Sequence, residues 1–308
     1  MASIRAVVAA TDFSFSAHRA ARRAGVLAQE HGAALQLLHV IDSSTAKSLL
    51  RRSRTVDVER PLRLEAERAL DSLAADVAAA GGVVSDRLLR EGSVTDEILA
   101  LGASMDLLVL GPRGVNPLRD LLFGSTAERI ARMIQRPMLV VKQEPQIRYD
   151  NVLVPVDFSD YSAPALHFAS ELAPRATLHV FHALDRTLEA RLRSADMSEK
   201  QIAAYCDEVQ READASMAEL AAGVQGHPVS TAVEPGDPRV DIHERAAANQ
   251  CTLIVMGKQG RSWLSEHVLG SVTRAVLERA ACDVVVVPHV RTLPASAQLK
   301  RSPSPRDR

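Results

Sequence analysis

Short apolar runs alternate along the chain with longer stretches in which apolar residues recur at helical spacing. Runs such as DLLVLG and DVVVV are almost continuously apolar, which is typical of strands that are covered on both faces. The stretch AERALDSLAADVAAAGG at Ala66–Gly82 instead places Leu70, Leu73 and Val77 on one face of a helix that ends at a glycine pair. Strands that alternate with such helices predict an α/β fold, an open, mainly parallel sheet with helices on both faces.

This pattern occurs twice. VVAATDFSFSAHRA at Val7–Ala20 resembles VLVPVDFSDYSAPA at Val152–Ala165, and the equivalent aspartates and glycines of the two halves are 145 or 146 residues apart. A near-constant offset over the whole length indicates a duplicated domain. We predict two five-stranded domains at residues 1–143 and 151–290, a linker at 144–150, and a disordered tail at 291–308 that is rich in Pro, Ser and charge.

Composition narrows the class of protein. The 308 residues are 46% hydrophobic and 24% charged, as in an ordinary globular protein of about two domains. A net charge of −1 and only 3% aromatic residues argue against a nucleic-acid or membrane-surface partner. The three cysteines form no CxxC pair, and the sequence shows neither a signal peptide nor a run of about 18 apolar residues. We therefore expect a cytoplasmic protein without disulfides or a membrane span.

A glycine pattern is kept in both halves while the residues between the glycines change. GPRGVNPLRDLLFGS at Gly111–Ser125 and GKQGRSWLSEHVLGS at Gly257–Ser271 both read G-x-x-G, nine residues, G-S. Each follows the fourth strand, at the sheet edge where open α/β sheets bind ligands. The glycines would permit positive φ and close backbone approach, and the helix that starts at the final G-S would offer N–H groups to an anion. The pattern predicts a phosphate site in each half.

A structural interpretation competes with this one. Glycine after a buried strand is common, Gly-Ser before a helix is an ordinary cap, and Ser125 with Glu128 fits a capping box. Neither a Walker A loop nor a dinucleotide-binding fingerprint is present. Identical spacing in two copies, each with an aspartate at the end of its first strand, favours the phosphate site.

The motifs together resemble the universal stress protein family in its tandem form. They are G-x-x-G-(nine)-G-[ST], first strands that end in TDFS or VDFS, and the second-strand run LLHVID. The resemblance covers about Ile4–Lys142 and Asn151–His289. It implies two tandem Rossmann-like domains that bind ATP, with which Mg²⁺ can arrive, in a protein used for stress adaptation.

The resemblance also implies which residues touch the nucleotide. The strand-one aspartate and the residue two before it lie at the nucleoside end, and the residue after the strand-two histidine faces adenine. The residue pair that ends strand four borders the ribose, and the later glycines with the helix start hold the phosphates. In the first half these residues are Ala10, Asp12, Val40, Leu110, Gly111, Gly114, Gly124, Ser125 and Thr126. In the second half they are Pro155, Asp157, Ala183, Met256, Gly257, Gly260, Gly270, Ser271 and Val272.

The two halves depart from the family pattern in different ways. Ala10 replaces the usual proline in the first half, and Pro112 removes a backbone N–H just after Gly111. In the second half Ala183 is shorter than the expected valine, whereas Lys258 adds a cation. These differences predict that the second site is the stronger one.

Other polar residues have simpler interpretations. Asp12 and Asp157 are candidates for a general base, a ligand to metal-bound water or a ribose acceptor, but a carboxylate there also commonly caps the turn. His39 and His182 are expected to pack and hydrogen-bond at the sheet edge. Two of the cysteines, Cys251 and Cys282, are expected in the core; Cys206 lies in a helical stretch with nothing to activate it. The basic run at Lys47–Arg54 is expected on a solvated helix face, and no structural metal is expected.

The favoured function is a regulatory, ATP-binding protein with little or no turnover, because no base, arginine finger or nucleophile is evident. A slow ATPase or nucleotidyl-transfer enzyme, and a dimerisation module that binds no nucleotide, remain alternatives. The resemblance also implies that five-stranded domains pair through their last strands, here Pro137–Lys142 and Asp283–Pro288. Since both runs are Val-rich edges, we predict that the halves of one chain pair there, with a homodimer of chains as a further step and protein clients unidentified.

Overall fold

A computed structural model describes residues 4–43, 59–114, 123–145, 148–185, 192–195, 197–224, 226–260 and 268–289. The basic run at 47–54 and the tail at 291–308 lie outside the described residues. The strands of the first half are β1 (Ala6–Thr11), β2 (Ala34–Asp42), β3 (Asp86–Gly92), β4 (Leu107–Leu110) and β5 (Met138–Val140). Its helices are α1 (Phe15–His31), α2 (Glu59–Ala79), α3 (Val94–Gly102) and α4 (Ser125–Met133).

The second half repeats the same order of elements. Its strands are β6 (Asn151–Pro155), β7 (Thr177–Leu184), β8 (Val229–Pro235), β9 (Leu253–Gly257) and β10 (Asp283–Val287). Its helices are α5 (Ser162–Leu172), α6 (Glu199–Ala222), α7 (Pro238–Ala248) and α8 (Ser271–Arg279). The alternation of strands and helices in each half confirms the predicted α/β fold.

The ten strands in the described part of the chain join in one sheet, in the order β3-β2-β1-β4-β5-β10-β9-β6-β7-β8. Neighbouring strands within each half are parallel. Strands β5 and β10 are antiparallel, with Val140 opposite Val284 and Met138 opposite Val286. The prediction that the last strands form the seam is therefore confirmed, and the two five-stranded units share a single sheet.

The apolar core lies on both faces of this sheet. Alternate residues of β1 belong to two separate clusters of buried side chains, Val7 to one and Val8 to the other, as the strand period requires. Strands β4 and β10 are buried at every position, as their continuous apolar runs predicted. The predicted face of α2 is buried, although the helix begins at Glu59, before the predicted start. No helix in the described part of the chain is long and apolar enough to cross a membrane.

Cys251 and Cys282 have the predicted place in the core, with 7% and 4% of their surface exposed. Burial raises the pKa of the Cys251 thiol to about 11 and that of the Cys282 thiol to about 12. Both thiols are therefore protonated at neutral pH, which suits a packing role.

Candidate functional site

A cavity opens at the switch point of each half. Strand β1 lies between β2 and β4, and β6 lies between β7 and β9, so the connections turn to opposite sides there. The crevice at the carboxyl ends of such strands is where open α/β sheets bind ligands. The cavity of the first half measures about 480 Å³ and that of the second about 400 Å³.

The two cavities bring together the residues that the sequence singled out. The first cavity is lined by Ala10, Asp12, Val40, Leu110, Gly111, Gly114, Gly124, Ser125 and Thr126. The second is lined by Pro155, Asp157, Ala183, Met256, Gly257, Gly260, Gly270, Ser271 and Val272. All eighteen residues thus share a cavity with their predicted neighbours; that they contact a ligand stays a prediction.

Both cavities also have an apolar wall that sequence reasoning missed. Val94 and Ile98 of α3 line the first cavity, and Pro238 and Ile242 of α7 line the second. Each residue of the second pair follows its equivalent in the first by 144 residues, so the sequence repeat could have identified both pairs. Their contribution depends on how the helix after the third strand packs, which local periodicity does not reveal.

The start of a helix forms one end of each cavity. Gly124 and Gly270 are the N-cap residues of α4 and α8, and neither helix has a side-chain cap. Ser125 is therefore inside the helix, and Glu128 forms a 2.6 Å hydrogen bond with Arg132, so the capping-box interpretation is wrong. The first-turn residues that line the cavities are Ser125, Thr126 and Ala127 in one half and Ser271, Val272 and Thr273 in the other.

The conserved glycine spacing has a backbone explanation in both halves. The N–H of Gly124 donates to the carbonyl of Pro112 at 2.8 Å, and the N–H of Gly270 donates to the carbonyl of Lys258 at 3.0 Å. Each nine-residue loop is thus closed at its base by an equivalent hydrogen bond.

The expectation of positive φ at the motif glycines is wrong, because the described glycines with positive φ all lie elsewhere. Lack of space explains the glycines instead. A Cβ atom on Gly114 or Gly260 would collide with Oδ2 of Asp12 or Asp157, and one on Gly111 would lie 2.9 Å from the backbone of Ser16. The described glycines of each G-x-x-G motif therefore pack closely on the protein itself.

Asp12 and Asp157 each serve the turn that follows the first strand. Oδ1 of Asp12 accepts from the N–H of Ser14 at 3.0 Å, and Oδ1 of Asp157 accepts from the N–H of Ser159 at 3.1 Å. The turn-capping interpretation is confirmed by these bonds. Both carboxylates also line their cavities, so a ligand contact is compatible with the same positions.

The D-F-S turn has an unusual backbone in both halves. Phe13 and Phe158 have φ of 62° and 58°, a left-handed conformation that costs a non-glycine residue about 1 kcal/mol or more. Their rings lie 4.4 and 4.5 Å from the rings of His39 and His182. Sequence reasoning missed this conformation, since phenylalanine is not favoured in that region.

The two histidines hold this turn from the second strand. Nδ1 of His39 donates to the carbonyl of Thr11 at 2.8 Å, and Nδ1 of His182 donates to the carbonyl of Val156 at 2.7 Å. Burial lowers the pKa of His39, which favours its neutral ring. The predicted packing and hydrogen-bonding role of both residues is confirmed.

Two of the reasons for ranking the second site above the first are wrong, and the ranking itself stays a prediction. The N–H of Lys258 donates to the carbonyl of Val287 at 2.8 Å, so the N–H that Pro112 lacks would point into the sheet, away from the cavity. The Lys258 side chain is 5% exposed and does not line the second cavity. Arg113, in contrast, lines the first cavity.

Comparison with known proteins follows the same division into halves. A family model described as the universal stress protein family matches residues 3–142 and 148–288. Universal stress protein Rv2005c of Mycobacterium tuberculosis (strain ATCC 25618 / H37Rv) is 31% identical over 191 residues, which are 59% of this chain and 61% of that protein. The match with this curated relative thus spans less than two thirds of its length.

A solved structure shows the same fold over nearly the whole chain. A universal stress protein from Archaeoglobus fulgidus DSM 4304 has a TM-score of 0.65 over 94% of this chain and 100% of its own, at 20% identity. A universal stress protein in complex with cAMP is 25% identical, with a TM-score of 0.37 over 47% of this chain and 100% of its own. Since the family model covers both halves, this chain belongs to the universal stress protein family, with one family domain in each half.

Proposed function

We propose that the chain binds an adenine nucleotide, ATP in particular, in each cavity and acts as a regulatory protein with little or no turnover. The observation that carries the proposal is the helix start in each cavity. The first three residues of α4 and of α8 line the cavities, and N–H groups at these positions have no partner inside a helix. Together with the positive end of the helix dipole, they suit a phosphate chain.

The rest of each cavity suits a nucleoside. Apolar side chains such as Leu38 and Ile98 in the first cavity, and Phe181 and Ile242 in the second, offer a surface for a planar base. A carboxylate at the strand end can accept a hydrogen bond from a ribose hydroxyl. The volumes of both cavities lie in the range of about 300–1,000 Å³ that is usual for small-molecule sites.

Mg²⁺ would enter with the phosphates. Within the described residues, no group of three His, Cys, Asp or Glu side chains is arranged to hold a metal ion. Phosphate oxygens, with Asp12 or Asp157 as a nearby carboxylate, supply the oxygen ligands that Mg²⁺ prefers.

Low turnover follows from how the potential bases are used. The two aspartates accept hydrogen bonds from the turn, and Nδ1 of each histidine donates to a strand carbonyl. Oδ1 of each aspartate and Nδ1 of each histidine are therefore occupied by the fold, which argues against these atoms as a general base, since a general base must reach the proton that it removes.

The test places a negative charge where the phosphates would lie. Asp is favourable at a helix start, so Ser125→Asp and Ser271→Asp should keep α4 and α8 while repelling phosphate. Ser198→Asp at the N-cap of α6 is the matched control, since Ser198 lines neither cavity. ATP at 100 times its Kd should stabilise the parent by about 2.7 kcal/mol per site. Calorimetry should show one site lost in each single variant and both in the double variant.

Two results would count against the proposal. If the double variant still binds two equivalents of ATP with the parent affinity, the cavities are not the sites. If ADP accumulates well beyond the amount of protein over several hours, the protein is a slow ATPase. Mass spectrometry of the purified protein for bound ATP offers an independent check.

A further inference from the structure

An open groove of about 680 Å³ lies beside the first cavity. The beginning of α1, the G-x-x-G loop of the first half and the end of α8 form its walls. Both halves of the chain therefore contribute to it. Arg113 and Gly114 line the groove and the first cavity alike, so the two spaces meet at this loop.

The groove is rich in positive charge. Four of its lining residues are basic: Arg19, Arg113, Lys142 and Arg279. In the part of the chain that the structure describes, Arg113, Lys142 and Arg279 have no carboxylate within ion-pair distance. Among the described residues these three cations thus lack an ion-pair partner, although the Asp283 carboxylate acts on Lys142 from a greater distance, and such a surface attracts anions.

Glu278 and Glu144, two acidic groups near the groove, are already engaged. Glu278 lines it, but its carboxylate accepts a 2.9 Å hydrogen bond from Arg274. Glu144 lies between Arg19 at 3.9 Å and Arg22 at 3.5 Å. Neither carboxylate neutralises the three remaining cations.

Lys142 is fixed in the wall of the groove. Its Nζ donates to the carbonyls of Leu277 and Ala280, at 2.7 and 2.8 Å, at the end of α8. Burial lowers its pKa to about 8; among the neighbouring charges, Asp283 raises this pKa and Arg113 lowers it. Like charges are thus close together here, an arrangement that an anion would relieve.

The common fold does not require these cations. With the offsets of 145 and 146 residues, the four positions correspond to Pro164, Gln259, Pro288 and Met133 in the other half. None of these equivalents is charged. The cationic groove is therefore a property of the first site alone.

We infer that this groove holds the distal phosphates of a nucleotide whose nucleoside lies in the first cavity, so that the first site selects longer phosphate chains. The inference rests on the proposed function. It assigns the groove to a polyphosphate anion, and a free inorganic polyphosphate shares that chemistry.

The test compares ATP with AMP in the Ser271→Asp protein, in which only the first site is expected to bind. Arg279→Gln removes an exposed cation that lines the groove but not the cavity. It should weaken ATP about fivefold, the scale of an exposed charge pair, and leave AMP unchanged. Arg68→Gln, an exposed arginine on α2, is the control for net charge and should change neither affinity.

An Arg279→Gln variant that changes neither affinity, or changes both equally, would overturn the inference. If the Ser271→Asp protein binds neither nucleotide, the proposed function fails for the first site, and inorganic triphosphate becomes the probe. Binding of triphosphate that Arg279→Gln weakens keeps the groove as a polyphosphate site. The groove is not a polyphosphate site if triphosphate does not bind, or if Arg279→Gln leaves its binding unchanged.

Discussion

The phenol of Tyr149 donates a 2.7 Å hydrogen bond to Oδ2 of Asp283, although 134 residues separate them in the sequence. Tyr149 belongs to the segment that joins the two halves, and Asp283 opens β10; they are 4% and 0% exposed. The guanidinium of Arg23 lies 4.4 Å from the Tyr149 ring centre, and its Nε is 3.5 Å from the Asp283 carboxylate. The first half, the linker and the second half therefore meet at one buried carboxylate.

The other oxygen of this carboxylate also bridges the halves. Oδ1 of Asp283 accepts from the backbone N–H of Lys142 at 2.7 Å and of Gln143 at 3.1 Å. A buried charge is tolerated only where it is paired and hydrogen-bonded. The cluster thus favours a single arrangement of the two halves beside the β5–β10 seam.

Asp283→Ala should be strongly destabilising. It leaves the guanidinium of Arg23, which is 1% exposed, buried without its carboxylate. Breaking a buried pair in this way lowers the free energy of unfolding by about 3–5 kcal/mol. Denaturant unfolding at pH 7 measures the loss.

Two control variants separate this effect from a general loss of charge. Arg148→Gln removes an exposed pair with Glu30 at 3.5 Å and should cost less than about 1 kcal/mol. The double variant Arg23→Met with Asp283→Leu removes both charges and should recover the part of the loss that comes from the unpaired guanidinium, while the donors of Tyr149, Lys142 and Gln143 stay without their acceptor. An Asp283→Ala protein as stable as Arg148→Gln would show that the cluster does not hold the halves together.

Val286→Asp should weaken the seam itself. Val286 is fully buried and lies opposite Met138 across the antiparallel pair. The new carboxylate would be buried without a partner, so the melting temperature should fall. Small-angle scattering should show a less compact protein, because the two halves are held together less tightly. Val83→Asp, at a position that is 72% exposed, should change neither quantity. If Val286→Asp stays as compact and heat-resistant as the parent, the halves are held together by other contacts.

The fold was predictable from the sequence because it depends on local patterns and on the repeat, and the eighteen cavity residues followed from the family resemblance, whereas the apolar walls from α3 and α7 were missed. Apolar runs identified the strands, and the glycine spacing placed Gly124 and Gly270 at the helix starts. The roles of Lys258 and Asp283 were not predictable, because both depend on burial between elements distant in sequence. A lysine two residues before a motif glycine suggests a phosphate ligand, but in the structure Lys258 does not line the cavity.

Lys258→Met should therefore leave ATP affinity at the second site within about twofold of the parent, a change well under 1 kcal/mol. The side chain is buried outside the cavity lining, and its N–H is used by Val287. Calorimetry in the Ser125→Asp protein isolates that site, and Ser271→Asp serves as the variant that should lose it. A tenfold drop for Lys258→Met would place the ammonium group on the phosphates after all.

Lys142 should make stability depend on pH in the alkaline range. Burial lowers its pKa to about 8 from an ordinary value of 10.5, while Asp283 and Arg113 act on it in opposite directions. The unfolded chain holds this proton more tightly, so between about pH 8 and 10.5 each rise in pH favours the folded state. Below pH 8 both states hold the proton and the contribution is constant.

The comparison that isolates this effect uses Lys142→Met, which has no proton to lose. The variant lacks the hydrogen bonds from Lys142 to Leu277 and Ala280 at every pH, so their loss lowers its free energy of unfolding by a constant amount. The free energy of unfolding of the parent minus that of the variant should stay constant from pH 6 to about 8. It should then increase up to about pH 10. Neighbouring Cys282, with its pKa raised to about 12, does not titrate in this window. Lys200→Met, at an exposed position, should give a flat difference. The same flat profile for Lys142→Met would mean that the ammonium group keeps its ordinary pKa in the folded protein.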